Sequence, residues 1–164
     1  MPSLLWHGSR GAITGTVTEP DDIRGWQRLS DTITTSGRIE AGDIARLAAI
    51  GVRHVINLAF PDHPEILPDE SERLAAAGIS YTSIPIPFDA PEEMHYRAFV
   101  AALEAGPAPV HVHCVMNWRV SALFYRRHRE GGMDEAAAGA LMHKQWNPFA
   151  RDDSASRKWA ALIA

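Results

Sequence analysis

Short runs of aliphatic and β-branched residues alternate along most of the chain with longer segments of helical periodicity. The alternating or continuous apolar runs predict strands over residues 52–58, 79–86 and 109–113. Apolar residues at helical spacing predict helices over residues 39–50, 69–77, 92–105, 119–130, 134–146 and 153–163. Residues 1–25 show no sustained period and are rich in Gly, Ser, Thr and Pro, which predicts an irregular N-terminal arm.

Strands separated by helices of this length predict right-handed crossovers between parallel strands. We therefore expect an α/β fold of three layers, with a mostly parallel central sheet flanked by helices on both faces. Residues 26–164 contain no internal repeat, low-complexity tract or linker, so they are expected to form a single domain after the arm.

The composition excludes several classes of protein. The chain has 164 residues, 46% hydrophobic and 22% charged, which is ordinary for a globular protein and excludes a disordered or collagen-like chain. Its net charge of −4 offers no basic excess for holding a phosphate backbone, so we do not expect nucleic-acid binding. The apolar runs near the N-terminus are shorter than a signal peptide or a membrane span requires, which predicts a cytoplasmic location and no membrane association.

The single cysteine lies in the segment with the most distinctive chemistry. One cysteine permits neither an internal disulfide nor a multi-thiolate zinc site. Cys114 ends a predicted strand, and Arg119 opens the helix that follows. Unpaired N–H groups at a helix N-terminus bind anions, and the same field with a nearby cation lowers the pKa of a thiol. This pattern predicts a nucleophilic thiolate that faces a bound oxyanion, with the arginine fork gripping two of its oxygens.

The order strand, His113, Cys114, loop, Arg119, helix resembles the signature of cysteine-dependent protein tyrosine and dual-specificity phosphatases. Residues 35–39, the helix that ends before Gly51, and residues 52–58 resemble the small bacterial phosphatase-like branch of that superfamily, and the resemblance spans about residues 30–160.

The resemblance implies a phosphatase-like fold and hydrolysis of phosphate monoesters without a metal or cofactor. It implies that Cys114 attacks phosphorus to form a phosphocysteine and that Arg119 binds the phosphoryl oxygens. The implied substrate is a phosphotyrosine-containing protein or a small aryl phosphate. His113 and Ser121 are the implied supporting residues, and the expected phosphate-binding loop consists of Val115, Met116, Asn117 and Trp118, followed by Arg119.

The loop departs from the usual phosphatase pattern in length and composition. Four residues, not five, separate Cys114 from Arg119, and none of them is glycine. Asn117 is the loop residue that best tolerates a left-handed conformation. A loop of this length is typical of rhodanese-like sulfurtransferases, which would carry a persulfide on Cys114. A catalytically weak phosphate-binding module is a third interpretation. The resemblance across more than a hundred residues favours the phosphatase. The sequence does not predict the oligomeric state.

The general acid that protonates the leaving group should lie on a loop at the carboxyl edge of the sheet. Asp89 follows a predicted strand and is the first candidate, although it could instead cap the next helix. The alternatives are Glu92, Glu93 and Asp62.

Other polar and aromatic residues allow two interpretations each. His111 and His113 should share one side of their strand, but no third ligand at metal-binding spacing accompanies them. Trp118 should either line the mouth of the site or pack against the core. Arg38 is expected to be a solvated surface residue.

Overall fold

Five strands and six α-helices alternate along the chain in the computed structural model, which describes residues 17–164. The strands are β1 (Gln27–Arg28), β2 (Ile33–Ser36), β3 (His54–Asn57), β4 (Ser80–Ser83) and β5 (Val110–His113). The helices are α1 (Ala41–Ala49), α2 (Glu70–Ala76), α3 (Glu93–Ala105), α4 (Trp118–Glu130), α5 (Glu135–His143) and α6 (Ser154–Ile163), with a short 3₁₀ turn at Pro148–Ala150.

The strands form one sheet in the order β1-β2-β5-β3-β4, parallel except for the antiparallel edge strand β1. Strand β5 lies at the centre, and its last residue, His113, is in register with Ser36 of β2 and Asn57 of β3. The chain therefore leaves β5 at Cys114 between the carboxyl ends of two neighbouring strands, which is where open parallel sheets place their ligand sites.

Helices cover both faces of the sheet, because side chains of successive strand residues point to opposite sides. On strand β3, Val55 packs into an apolar cluster with residues of α1 and α2, such as Leu47 and Leu74. Its neighbour Ile56 packs into a larger cluster with residues of α3, α4, α5 and α6, among them Trp159. The fold is thus the predicted α/β arrangement of three layers.

The predicted helices and strands are confirmed, with differences at their ends. The strand predicted over residues 79–86 ends at Ser83, although the N–H groups of Ile84 and Ile86 still donate to the carbonyls of Asn57 and Leu58. Strands β1 and β2 were not predicted. Both are short, and β2 has the sequence Ile-Thr-Thr-Ser, which carries little apolar signal.

The expected N-terminal arm falls partly outside the described residues. In its described part, Ile23 is 5% exposed and belongs to the apolar cluster beside α1 and α2. Among residues 17–164, no helix has the length and apolar character required to cross a membrane.

Candidate active site

Residues 114–117 form a tight loop between β5 and α4, and Trp118 and Arg119 are the first two residues of α4. Cys114 is 0% exposed and its side chain belongs to the larger apolar cluster, so the thiol lies at the base of the loop and not at its rim. Met116 is the most exposed loop residue, at 45%. A substrate would therefore have to enter the concave side of the loop to reach the sulfur.

The backbone of this loop presents a run of unpaired hydrogen-bond donors. Among the described residues, no acceptor bonds the N–H groups of residues 115–120, and the next amide, that of Ser121, donates to Asn117 O within α4. The first amides of a helix lack partners inside the helix, and here the loop adds further donors to them. Consecutive free amides at a helix N-terminus form a concave anion-binding surface.

Two contacts fix the direction in which these amides point. The ring of His113 lies 3.1 Å through Nδ1 from the carbonyl oxygen of Cys114, and the backbone N–H of Arg38 donates to the carbonyl oxygen of Val115 at 2.9 Å. In a trans peptide the C=O and N–H groups point in opposite directions. Because both carbonyls are held on the outer side, the N–H groups of Val115 and Met116 point the other way, into the loop.

Asn117 closes the loop in the left-handed conformation that the sequence predicts for it. Its φ is 69°, and the residue is 0% exposed. The side-chain amide Nδ2 donates to the carbonyl of Gly25 at 2.7 Å and to Thr35 Oγ1 at 3.1 Å. These bonds attach the loop to the N-terminal segment and to β2, which fixes a turn that would otherwise require glycine.

Arg119 is held beside the loop with part of its guanidinium free. Nε donates to the carbonyl of Ile86 at 2.9 Å, and the guanidinium carbon lies 5.4 Å from the centre of the Phe88 ring. Within residues 17–164, neither Nη1 nor Nη2 has a hydrogen-bond or ion-pair partner. One bond therefore sets the orientation of the fork, and its two terminal nitrogens remain available for an oxyanion.

Aromatic residues surround this arginine. Trp118 stacks on Trp146 with ring centres 4.9 Å apart and planes within 4°, and Phe88 contacts both rings. The guanidinium of Arg151 lies 5.3 Å from the Trp118 ring. Trp118 is thus packed in an aromatic cluster and remains partly exposed.

His111 and His113 share one side of β5, as predicted, with ring centres 6.3 Å apart. All four ring nitrogens contact protein groups. His111 lies 2.9 Å from Thr34 Oγ1 and 2.8 Å from Ser36 Oγ. Its complete burial holds its pKa well below the usual value, and the neighbouring His113 lowers it further, so the ring is neutral at neutral pH.

Asp89 lies on the segment that also holds Arg119. This segment is fixed by the bond from Arg119 to Ile86 O, by Trp159 Nε1, which donates to Phe88 O at 2.7 Å, and by Lys158 Nζ, which donates to Asp89 O at 2.9 Å. The Asp89 side chain is exposed and forms no hydrogen bond or ion pair with the described residues.

The alternative role for Asp89 as a helix cap is wrong, because the N-cap of α3 is Glu92. Glu93 is occupied by Arg126, whose Nη1 lies 2.7 Å from its carboxylate, and this pairing lowers the pKa of Glu93. Asp62 is exposed and lies on the loop after β3. Asp89 and Asp62 thus remain as candidates with carboxylates unpaired among residues 17–164.

Not every expected residue joins the loop. The hydroxyl of Ser121 donates to Trp118 O at 3.2 Å, a bond within the first turn of α4. The side chain of Arg38 is paired with Glu65 and Glu40 near the surface, in agreement with its predicted solvated position, whereas its backbone N–H supports the loop.

Three contacts at the site were not predicted from the sequence. Arg24 Nη1 lies 3.5 Å from the sulfur of Met116 and 2.8 Å from Glu65. Gly37 allows the close approach of β2 to the loop, and Glu70 contacts His113 at 2.6 Å. Glycine, arginine and glutamate are common at the ends of strands and helices. Nothing in the sequence therefore distinguished Arg24, Gly37 or Glu70 from other residues of their types.

The fold of the chain is similar to those of several phosphatases. A DUF442 protein of Shewanella putrefaciens CN-32, assigned as a phosphatase, is 27% identical over 87% of this chain and 88% of its own, with a TM-score of 0.73. TpbA of P. aeruginosa, solved in complex with pTyr, is 22% identical over 89% of this chain and 85% of its own, with a TM-score of 0.61.

The catalytic core of the PP-IP phosphatase Siw14 from S. cerevisiae is 14% identical over 84% of this chain and 86% of its own, with a TM-score of 0.65. At the identities of TpbA and Siw14 the likeness concerns the fold. No curated protein matches the chain. A family model matches residues 25–126, which include the loop, Arg119 and Asp89. The chain therefore belongs to the phosphatase-like domain family of beta-lactamase hydrolase-like proteins.

Proposed function

We propose that this protein hydrolyses phosphate monoesters, with aryl phosphates such as phosphotyrosine as substrates, through a phosphocysteine on Cys114. The observation that carries the proposal is the run of free amides over residues 115–120, beside an arginine whose Nη1 and Nη2 have no partner among the described residues. Inward-facing amides and a guanidinium fork match the equatorial oxygens of a phosphoryl group in the transition state of its transfer.

In the first step, the Cys114 thiolate attacks phosphorus. A sulfur–phosphorus bond forms while the bond from phosphorus to the leaving oxygen breaks, and Asp89 gives its proton to that oxygen. Arg119 and the loop amides hold the three remaining phosphoryl oxygens, whose charge increases as the bonds exchange.

In the second step, water attacks the phosphocysteine. Asp89, now a carboxylate, takes a proton from the water, an oxygen–phosphorus bond forms, and the sulfur–phosphorus bond breaks. Inorganic phosphate leaves and the Cys114 thiolate returns. Neither step consumes a cofactor.

The aromatic surroundings of Arg119 support an aryl leaving group. Phe88 and the partly exposed Trp118 lie beside the guanidinium, where the ring of a phosphotyrosine would meet aromatic faces. TpbA, which shares the fold, was solved with pTyr bound, and this agrees with an aryl phosphate as the substrate.

The test is hydrolysis of p-nitrophenyl phosphate and of a phosphotyrosine peptide by the purified chain. We expect turnover by the wild type and none by Cys114→Ser, with an unchanged circular dichroism spectrum. A phosphorylated Cys114, trapped at acidic pH and located by mass spectrometry, is the direct evidence for the intermediate. Equal rates for the wild type and Cys114→Ser would refute the assignment of the nucleophile.

The complete burial of Cys114 favours a second candidate, a module that binds phosphorylated groups and turns them over poorly. Such a module would use the same loop amides and Arg119 without bringing the sulfur to phosphorus. Calorimetric binding of inorganic phosphate or of a phosphotyrosine peptide, with no phosphate released between pH 5 and 8, would select this function over the first.

A further inference from the structure

Glu70 has no part in the chemistry proposed above, yet it contacts the residue that precedes the nucleophile. It is the first residue of α2, and its carboxylate oxygen Oε2 lies 2.6 Å from Nε2 of His113. The side chains of Glu70 and His113 are 3% and 0% exposed. Through its other nitrogen, His113 lies 3.1 Å from the carbonyl oxygen of Cys114.

Each ring nitrogen of His113 makes one contact, and each contact requires a proton between its two atoms. A carbonyl oxygen only accepts hydrogen bonds, so Nδ1 must carry a hydrogen and donate it to Cys114 O. An ionised carboxylate also only accepts, so the contact between Nε2 and Oε2 holds a second proton. The contact with Glu70 therefore holds the ring so that Nδ1 faces the Cys114 carbonyl oxygen.

Stability does not account for this buried pair. Removing two charges from water costs free energy, and an apolar pair of the same volume is often as stable or more stable. Among the described residues, the second carboxylate oxygen, Oε1, has no hydrogen-bond partner, which adds to the cost.

We propose that Glu70 is a positioning residue that acts on Cys114 through His113. It holds the imidazole in the orientation and protonation state that draw the Cys114 carbonyl outward, so that the Val115 amide points into the loop. Loss of Glu70 should raise the pKa of the Cys114 thiol and weaken anion binding by the loop.

Other ionisable groups face this pair. His111 lies beside His113 on β5, and its pKa is held low by burial. Tyr81 on β4 has a pKa raised mainly by burial and further by the Glu70 carboxylate. Arg119 and Arg24 lie at the loop itself. A substitution at Glu70 alone changes none of these groups chemically.

The test is a pH titration of the thiolate by its ultraviolet absorbance, which belongs to one residue because the chain has a single cysteine. We expect Glu70→Gln to raise the thiol pKa by about one unit, which lowers the thiolate fraction about tenfold below that pKa. The matched control is Glu72→Gln, an exposed carboxylate in the same turn of α2, which should leave the pKa unchanged. Glu70→Met keeps the volume without the charge and should show the same rise, so a folding defect of Glu70→Gln does not prevent the test.

A double-mutant cycle separates action through His113 from a structural effect. His113→Asn keeps a donor in the position of Nδ1 but does not reach Glu70, so adding Glu70→Gln to His113→Asn should shift the thiol pKa no further. Additive shifts, or an unchanged pKa in folded Glu70→Gln and Glu70→Met, would overturn the inference. An effect of Glu70 on the rate of hydrolysis rests on the proposed function. If the wild type hydrolyses no phosphate monoester, the proposed function fails, and the titration still decides the role of Glu70.

Discussion

Gly37 and Val115 approach each other so closely that a Cβ atom on Gly37 would stand 2.4 Å from the carbonyl oxygen of Val115. This oxygen belongs to the candidate phosphate-binding loop and accepts the N–H of Arg38. The end of β2 and the loop therefore touch through backbone atoms of both segments. A change of side-chain rotamer cannot relieve a clash between them.

Gly37→Ala should push the loop away from β2. We expect a loss of about 1–3 kcal/mol in the free energy of unfolding, because the added methyl meets backbone, and a larger relative loss of phosphate affinity. Gly42→Ala is the matched control, since a Cβ there meets nothing within 4 Å, and alanine in a helix should stabilise by about 0.5–1 kcal/mol. Urea unfolding and calorimetric titration with phosphate measure both effects. Equal stability of Gly37→Ala and the wild type would contradict the close approach.

Asn117 should tolerate glycine better than alanine. Alanine at a φ of 69° is strained by about 1–2 kcal/mol and also loses the bonds to Gly25 and Thr35, whereas glycine loses only the bonds. We therefore expect Asn117→Gly to unfold at a higher temperature than Asn117→Ala, with both below the wild type. The opposite order in a thermal melt would show that the left-handed turn does not constrain the loop.

Replacement of Arg119 should affect binding and rate together. Arg119→Lys keeps the charge but cannot donate to Ile86 O and grip two phosphoryl oxygens at once. We expect kcat on p-nitrophenyl phosphate to fall by about 10²–10³-fold and KM to rise. Arg97→Ala, at an exposed position of α3, serves as the control. A wild-type rate in Arg119→Lys would mean that the guanidinium does not touch the phosphoryl group.

Substrates with different leaving groups can show whether Asp89 or Asp62 is the general acid. If Asp89 is the general acid, Asp89→Asn should lower kcat by about 10²-fold or more for phenyl phosphate, whose leaving group needs a proton. The loss should be smaller for p-nitrophenyl phosphate, whose leaving group does not. Asp62→Asn should leave both rates near the wild type. The reverse pattern for the two variants would transfer the role to Asp62.

The stability of the fold should fall in mild acid because of His111. Its pKa in the folded chain is far below the usual value of 6.5, so the unfolded chain takes up a proton that the folded chain does not. The free energy of unfolding should decrease as pH falls below about 6.5, with a slope of up to about 1.4 kcal/mol per pH unit from this group. Urea unfolding at pH 5 and 7 measures this change. His111→Gln should reduce the slope, whereas the exposed His143→Gln should not.

Much of the architecture could be predicted from local sequence. Apolar spacing located the six helices of residues 17–164, because burial of one helix face leaves a periodic pattern, and a glycine marks the end of four of them. Asn117 was identified as the residue that would take the left-handed position, since the other loop residues are β-branched, bulky or flexible apolar side chains. These features depend on neighbours in the chain, and the sequence displays them directly.

The contacts that shape the loop depend on residues far apart in the chain. Glu70 meets His113 across 43 positions, and the amide of Asn117 meets Gly25 across 92. The residues of these contacts show no periodic pattern and no characteristic spacing in the sequence. The contacts form only because the order of strands in the sheet brings the residues together. The same holds for the bond between Arg119 and Ile86 O, which fixes the direction of the guanidinium.

The carbonyl of Arg24 accepts the N–H of Gly37, and the carbonyl of Gly25 accepts the amide of Asn117. A shortened chain engineered to begin at Trp26 would keep the five strands and six helices found within residues 17–164, yet it would remove both acceptors. We therefore expect this truncation to leave the fold intact while it frees the candidate phosphate-binding loop from the segment upstream of β1.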